Sequence, residues 1–190
     1  WNHGGWRGEG KALSRIDFGA ATGDDFRSTI EAPFFARYLK DREGEAPDEA
    51  RVFEGGSNTW RTFPAWPPRQ AKTRALYFRA NKHLSLDPPT AAERNVSDSY
   101  ISDPAHPVPY TEDVHFDRTR EYMTDDQRFA SRRPDVLTYQ TPVLAEDLTL
   151  GGPVTADLKV SLSGEDADFV VKLIDVFPDD FTYGNEAPAG

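Results

Sequence analysis

The first place in this 190-residue chain where chemistry could reside stands at its very start, in Trp1-Asn2-His3-Gly4-Gly5-Trp6. A histidine flanked by glycines sits in a loop whose backbone and ring can come close to a ligand. A neutral imidazole placed there suits the removal of a proton from a hydroxyl nucleophile and its return to a leaving group. The residues alone leave two readings of His3 open, that acid–base role and an ordinary exposed or structural histidine. No nucleophile is marked for it. Gly55-Gly56-Ser57-Asn58-Thr59 comes nearest to G-x-S-x-G, the strained turn that exposes a nucleophilic serine, and fails at the last glycine. A Walker loop, a dinucleotide glycine fingerprint and H-E-x-x-H are all missing, so phosphate, nicotinamide and zincin chemistries lack support. With no cysteine there is no disulfide, thiol nucleophile or thiolate metal site. His3, His83, His106 and His115 stand too far apart for a local metal-ligand pair, and no zinc or other cofactor is expected. Asp166, Asp168, Asp175, Asp179 and Asp180 fail the EF-hand calcium spacing and read as solvated turn residues.

The elements that must hold such residues follow from composition and periodicity. At 37% apolar and 12% aromatic residues the chain can build a core. Its 22 basic against 32 acidic residues give a net charge of −10, which disfavours nucleic acid and anionic membrane surfaces as partners. No stretch approaches the roughly 20 apolar residues needed to span a bilayer, and the first residues have neither the basic start nor the apolar run of a signal peptide. The chain opens without Met, which points to a true beginning further upstream.

Residues Asp24 to Asp41 read as a helix, because Phe26, Ile30 and Phe34 recur every fourth residue and Phe35 with Leu39 widens the same stripe. Asp24 and Asp25 suit its first turn and Lys40 its last, while Pro33 should kink it or begin a second helix. Asp41 to Asp48 is a charged linker with Gly44 and Pro47. Beyond it the period shortens. Strands are expected at Ala50 to Glu54, Thr73 to Ala80, Asp135 to Thr141, Val154 to Ser161 and Asp168 to Val176, with Ser85 to Arg133 mostly loop. Alternation such as Val154-Thr155-Ala156-Asp157-Leu158-Lys159-Val160 marks strands with one wet face, as in an antiparallel sandwich or jelly roll.

Several of these segments carry a family likeness. Trp1-Asn2-His3-Gly4-Gly5-Trp6, then Gly10, Arg15-Ile16-Asp17-Phe18-Gly19 and Ala32-Pro33-Phe34-Phe35-Ala36-Arg37-Tyr38-Leu39-Lys40 resemble the end of the hydrolase domain in α-amino-acid ester hydrolases and the related cocaine esterases and X-prolyl dipeptidyl peptidases. Val52-Phe53-Glu54, Ser57-Asn58-Thr59-Trp60-Arg61, Trp66-Pro67-Pro68, Asp103-Pro104-Ala105-His106-Pro107-Val108-Pro109-Tyr110, Asp126-Gln127-Arg128-Phe129, Arg133-Pro134-Asp135-Val136-Leu137-Thr138-Tyr139 and Asp166 to Val176 are similar to its jelly-roll domain.

The resemblance implies a mainly β chain: residues 1–44 as the carboxyl-terminal end of an α/β-hydrolase domain, and 45–190 as an incomplete jelly-roll β-sandwich cut at its carboxyl end. It implies that His3 is the general base and acid of a Ser-Asp-His triad. The serine, the triad aspartate and the carboxylates that read a substrate ammonium would lie upstream, so Asp17, Asp24 and Asp25 are not assigned to the triad. The intact parent would cleave or transfer acyl groups of α-amino acid esters and β-lactam antibiotics through an acyl-enzyme. Sister activities on the same scaffold are X-prolyl dipeptidyl peptidase, cocaine-type esterase and glutaryl cephalosporin acylase; a reading of another class is a non-catalytic β-sandwich binding module. A small-molecule ester or amide substrate, a homo-oligomeric parent and a periplasmic or secreted location go with the family. His106 stays open between exposed loop residue and substrate-edge residue. Trp6, Trp60 and Trp66 read as packing aromatics, with acyl stacking the alternative.

Overall fold

The computed structural model describes residues 1–43, 46–93, 95–116 and 121–182. The chain begins with a tight turn at Gly5–Arg7, followed by a small antiparallel pair of β1 (Ala12–Leu13) and β2 (Ile16–Asp17). One helical rod then runs from Thr22 to Lys40. It comprises α1 (Thr22–Phe26), a π turn over Arg27–Glu31 and α2 (Ala32–Lys40), closed by Asp41 in the left-handed conformation. Asp24 and Asp25 occupy the first turn and Lys40 the last, as charge against the helix dipole requires. Pro33 does not break the rod. Having no N–H for the carbonyl one turn back, and a ring that crowds it, proline is accommodated by the wider π spacing just ahead of it.

Strand β3 (Ala50–Glu54) pairs with β4 (Thr59–Phe63) around a Gly55-Gly56-Ser57-Asn58 turn, where Gly56 and Asn58 take positive φ. Phe53 lies opposite Trp60 in this register, with ring centroids 5.4 Å apart, a cross-strand aromatic pair. Strand β4 has no counterpart in the sequence expectation, because its inward residues Trp60 and Phe63 are three apart and show no period of two.

The third hairpin joins β5 (Tyr77–Arg79) to β6 (His83–Ser85). Its turn holds Asn81 and Lys82 at φ 59° and 60°, a costly pair for residues with a Cβ. Two clusters surround the turn. The Lys82 ammonium lies 2.7 Å from the Asp98 carboxylate and 5.3 Å from the Tyr139 ring centroid, while the Tyr139 hydroxyl donates to Asp98 at 2.5 Å. Burial, reinforced by that carboxylate, pushes the Tyr139 hydroxyl well above its ordinary range, and Lys82 holds Asp98 below its own.

On the other side, Glu93 accepts from Arg79 Nε and Nη2 at 3.1 and 2.6 Å, from the Ala80 amide, and from both the amide and hydroxyl of Thr90. Those donors, Arg79 first, bring the Glu93 carboxyl down to about 2. Gln140 then joins β6 by one parallel bridge to His83. That bridge is what the expected strand Asp135 to Thr141 contributes, and the expected Thr73 to Ala80 shortens to β5.

The described residues between 86 and 133 are mainly loop with a 3₁₀ turn at Glu121–Met123 and a single-turn α3 (Arg128–Ser131). From residue 141 to 182 the structure differs from expectation more sharply. Val154 to Ser161 and Asp168 to Val176 belong to no ladder among the described residues, and most of their apolar side chains are exposed, Val170 at 84%. An extended segment becomes a strand only when a neighbour takes its N–H and C=O groups. The segment is nonetheless tethered, by Lys172 Nζ donating to Gln127 at 2.7 Å and by Gly152, at φ 115°, lying against Pro67. The accessible surface, 16127 Å², compares with roughly 9,100 Å² for a compact monomer of 21.3 kDa. The chain is thus mainly β and built from small antiparallel sheets, with much apolar surface uncovered. The boundary between 44 and 45 and the terminal Ala187 to Gly190 lie outside the described residues.

Glu93 gives this fold a pH dependence of definite sign. Its carboxyl falls from an ordinary 4.5 to about 2 on folding, so its contribution is complete above pH 4.5 and is lost as pH drops toward 2. A Glu93→Gln variant should therefore melt lower than the parent at pH 7, and the gap should close between pH 4.5 and 2 in a thermal-unfolding series.

Candidate functional site

His3 lies at the exposed crest of a turn, and the turn is held from within. The Gly5 amide donates to Asn2 O at 3.0 Å, Arg7 to Gly4 O at 3.1 Å and Gly8 to Gly5 O at 3.3 Å. Gly4 at φ 81° reverses the chain directly after the histidine, a conformation for which glycine pays no Cβ penalty. The imidazole meets the Trp6 ring edge-on, centroids 5.8 Å apart at 86°. Among the described residues it has no hydrogen-bond partner, so both ring nitrogens are open to groups outside this set.

The turn is seated on the start of α1. Thr22, 1% exposed, accepts from Trp1 Nε1 at 2.6 Å and donates its hydroxyl to Gly10 O, while the Gly23 amide donates to Glu9 O at 2.8 Å. The approach is so close that a Cβ on Gly23 would stand 2.3 Å from Gly8 O, and one on Gly10 would stand 2.6 Å from Gly23 N. Arg27 donates from Nη1 to the carbonyls of Trp6 and Gly8, the latter at 2.6 Å, and from Nη2 to Asp24. Below the turn, the Trp1 ring packs on Phe26 at 5.4 Å and on Trp60 at 6.3 Å. Phe53 continues that cluster to Phe18 at 5.4 Å, and Arg51 lies over Trp60 while pairing with Asp25 at 3.3 Å. The loop, the helix and the β3–β4 hairpin therefore share one aromatic floor.

The aspartates that follow His3 in sequence are occupied by other partners. Asp24 pairs with Arg27, Asp25 with Arg51, and Asp17 accepts the Gly19 amide at 2.8 Å. Ser57 donates to its neighbour Glu54 at 2.5 Å in the hairpin turn. His106 is exposed, its Nδ1 2.8 Å from Asp103, and Arg133 donates to its carbonyl at 2.9 Å while forking onto Asp135. His106 and the Ala105 amide hold the Asp103 carboxyl below its usual range. Trp60 packs as expected, Trp66 lies beside Phe63 at 5.8 Å, and Trp6 walls the imidazole. An open cavity of about 410 Å³ lies elsewhere, lined by Glu112, Asp126, Arg128, Phe129 and Arg132.

Among the described residues no group of three His, Asp or Glu side chains gathers as for a metal ion, and no helix is long and apolar enough to cross a membrane. Thr22 and Arg27, the anchors of the turn, are not among the residues that the sequence marks for a site. Thr22-Gly23 ahead of two acids is a legible helix start, whereas nothing local marks Arg27.

The seating of the turn is testable without reference to activity. Gly23→Ala should lower stability by roughly 2 kcal/mol, the cost of overpacking a site with no room. Thr22→Val, which strands the Trp1 indole N–H and the Gly10 carbonyl, should cost about 1–3 kcal/mol. Thermal unfolding of both variants against Gly55→Ala, where a Cβ meets nothing within 4 Å and φ is not positive, checks the ranking.

Comparison with known proteins places the chain in a family. Residues 43–188 match the family described as the X-Pro dipeptidyl-peptidase C-terminal non-catalytic domain. The cocaine esterase of Rhodococcus sp. (strain MB1 Bresler) is 32% identical over 80% of this chain and 28% of its own length. An α-amino acid ester hydrolase of known structure matches with a TM-score of 0.70 and 35% identity over 80% of this chain and 26% of its own. The crystal structure of an aminopeptidase from a marine sediment Thaumarchaeota archaeon matches with a TM-score of 0.64 and 34% identity, over 75% of this chain and 24% of its own. The chain thus spans about a quarter of the length of these relatives, which by name are an esterase, an ester hydrolase and a peptidase. By the extent of the family match and its likeness to these hydrolases, the chain belongs to the X-Pro dipeptidyl-peptidase C-terminal domain family.

Proposed function

We propose that this chain serves a serine hydrolase in which His3 is the general base and then the general acid of an acyl-enzyme reaction. The observation that carries the reading is the placement of His3. Its ring stands outward with both nitrogens open, while the backbone beneath it is tied to Thr22, Gly23 and Arg27. A histidine that served only packing would point its ring into that seat.

A serine hydroxyl is a weak nucleophile at neutral pH. A fixed imidazole within hydrogen-bond reach takes its proton as it attacks the ester carbonyl, and donates that proton to the departing alcohol or amine. The same imidazole then activates water against the acyl-enzyme. A carboxylate on the other ring nitrogen would hold the tautomer and stabilise the imidazolium. On this reading residues 1–44 are the end of an α/β-hydrolase domain and 45–190 belong to a jelly-roll β-sandwich. The family match starting at residue 43, beyond His3 and its helix, supports that division.

The substrates proposed are α-amino acid esters and β-lactam antibiotics with such side chains, since the motif resemblance is to the α-amino-acid ester hydrolases. Cocaine-type esterase, X-prolyl dipeptidyl peptidase and glutaryl cephalosporin acylase activities are the sister outcomes. A second reading has the family description in its favour: the matched region is named non-catalytic, so residues 45–190 would act as scaffold or binding module.

The intact protein carrying this chain is the material for the test. His3→Ala should remove turnover of a chromogenic α-amino acid ester by at least about 10³-fold while leaving substrate binding nearly unchanged. Normal turnover in that variant would sink the assignment. The 190 residues by themselves should hydrolyse no ester above the His3→Ala background and should self-associate in light scattering, given the apolar surface they expose.

A further inference from the structure

The geometry points to Arg27 as the positioning residue for His3, an inference that rests on the acid–base reading of that histidine. A triad base must be held to within a fraction of an ångström of its nucleophile, and the groups that hold it need not touch substrate. Among the described residues the ring contact of the His3 imidazole is with Trp6, centroids 5.8 Å apart and the planes nearly perpendicular. Trp6 is in turn held through its carbonyl, which accepts from Arg27 Nη1. The same nitrogen reaches Gly8 O at 2.6 Å, so one guanidinium corner takes two carbonyls of the segment that leaves the turn. Its other corner, Nη2, is fixed by Asp24 one turn earlier on the helix.

The planar fork makes this arrangement specific to arginine. A lysine ammonium is a single point, and it cannot hold Asp24 with one nitrogen while holding two carbonyls with another. Arg27 is the first residue of the π turn, three residues beyond Asp24 on the same helical rod. Thr22 and Gly23 seat residues 8–10 on the helix, but neither reaches the stretch between Asn2 and Trp6 that carries the imidazole. Arg27 alone among these three contacts Trp6. Loss of its hydrogen bonds should therefore release the wall against His3 while the seat beneath stays closed.

The intact protein is again the material, with Arg27→Met, Arg27→Lys and Asp24→Asn compared with the parent and with His3→Ala. Positioning predicts that Arg27→Met lowers kcat about 10- to 100-fold with KM changed less than about threefold. Arg27→Lys should recover part of the loss, and Asp24→Asn should fall between it and the parent. Each kcat is taken per folded molecule, from circular dichroism at the assay temperature, so partial unfolding cannot imitate the effect. If Arg27→Met does not fold, the lysine and Asp24→Asn variants carry the same ranking. Parent-like kcat in the folded Arg27 variants, or an effect confined to KM or to the melting temperature, overturns the inference if His3→Ala is inactive. Full activity in His3→Ala would instead overturn the reading beneath it.

Discussion

The structure turns on a single close approach, that of the Gly8–Gly10 backbone to the first turn of α1. Two glycines make it possible, since a Cβ on either Gly10 or Gly23 would stand less than 3 Å from backbone across the gap. Once the backbones touch, the buried Thr22 hydroxyl can satisfy both the Trp1 indole and the Gly10 carbonyl, and Arg27 is brought over the carbonyls of Trp6 and Gly8. Polar groups withdrawn from water in that seat are paired, which is the condition for burying them at all. What results is a pedestal with His3 exposed on top. Its ring is presented while Thr22, Gly23 and Arg27 below it are used to hold the backbone.

The pedestal rests on the β3–β4 hairpin. Trp1, Phe26, Phe53 and Trp60 form one continuous aromatic contact, and the Arg51–Asp25 pair closes its edge. The helix and the start of the β region are therefore mechanically coupled across the linker that separates them in sequence. Further along, organisation is by ionic knots: Glu93 with Arg79 and Thr90, Asp98 with Lys82 and Tyr139, Arg133 with Asp135. Loops of this length have few apolar contacts to order them, and charge-assisted hydrogen bonds fix their turns instead. By contrast, the outer half of the helix stripe, Phe34, Phe35 and Leu39, stands uncovered, Leu39 at 73% exposure. Periodicity shows which face of a helix is apolar but not what covers it.

How much was legible varies by element for physical reasons. The helix was, because a four-residue recurrence of large apolar groups bounded by acids and a lysine has few other solutions; its π turn was not, since that is a compromise with Pro33. Strand β3 matches its expected bounds and β4 has no expected counterpart, although the two form one hairpin. The alternation that reveals a strand depends on one face being buried, and Trp60 and Phe63 do not alternate. The reverse holds at Val154 to Ser161 and Asp168 to Val176, where alternation is strong and no ladder forms among the described residues. Pattern records which side chains would be inside a sheet, whereas a sheet also needs a neighbouring backbone.

At the site the division is similar. His3 could be singled out from its glycine-flanked motif, and the family from motifs spread along nearly the whole chain, because residue type and order are local properties. Asp17 and Asp24 find their partners two and three residues on, but that Asp25 is engaged and that Thr22 and Arg27 hold the turn beneath an outward His3 were decided by tertiary structure. Those contacts join atoms 12 to 26 residues apart in the chain within hydrogen-bond distance. A sequence carries chemistry in its residue types; distance and direction, on which proton transfer depends, exist only once the backbone has closed on itself.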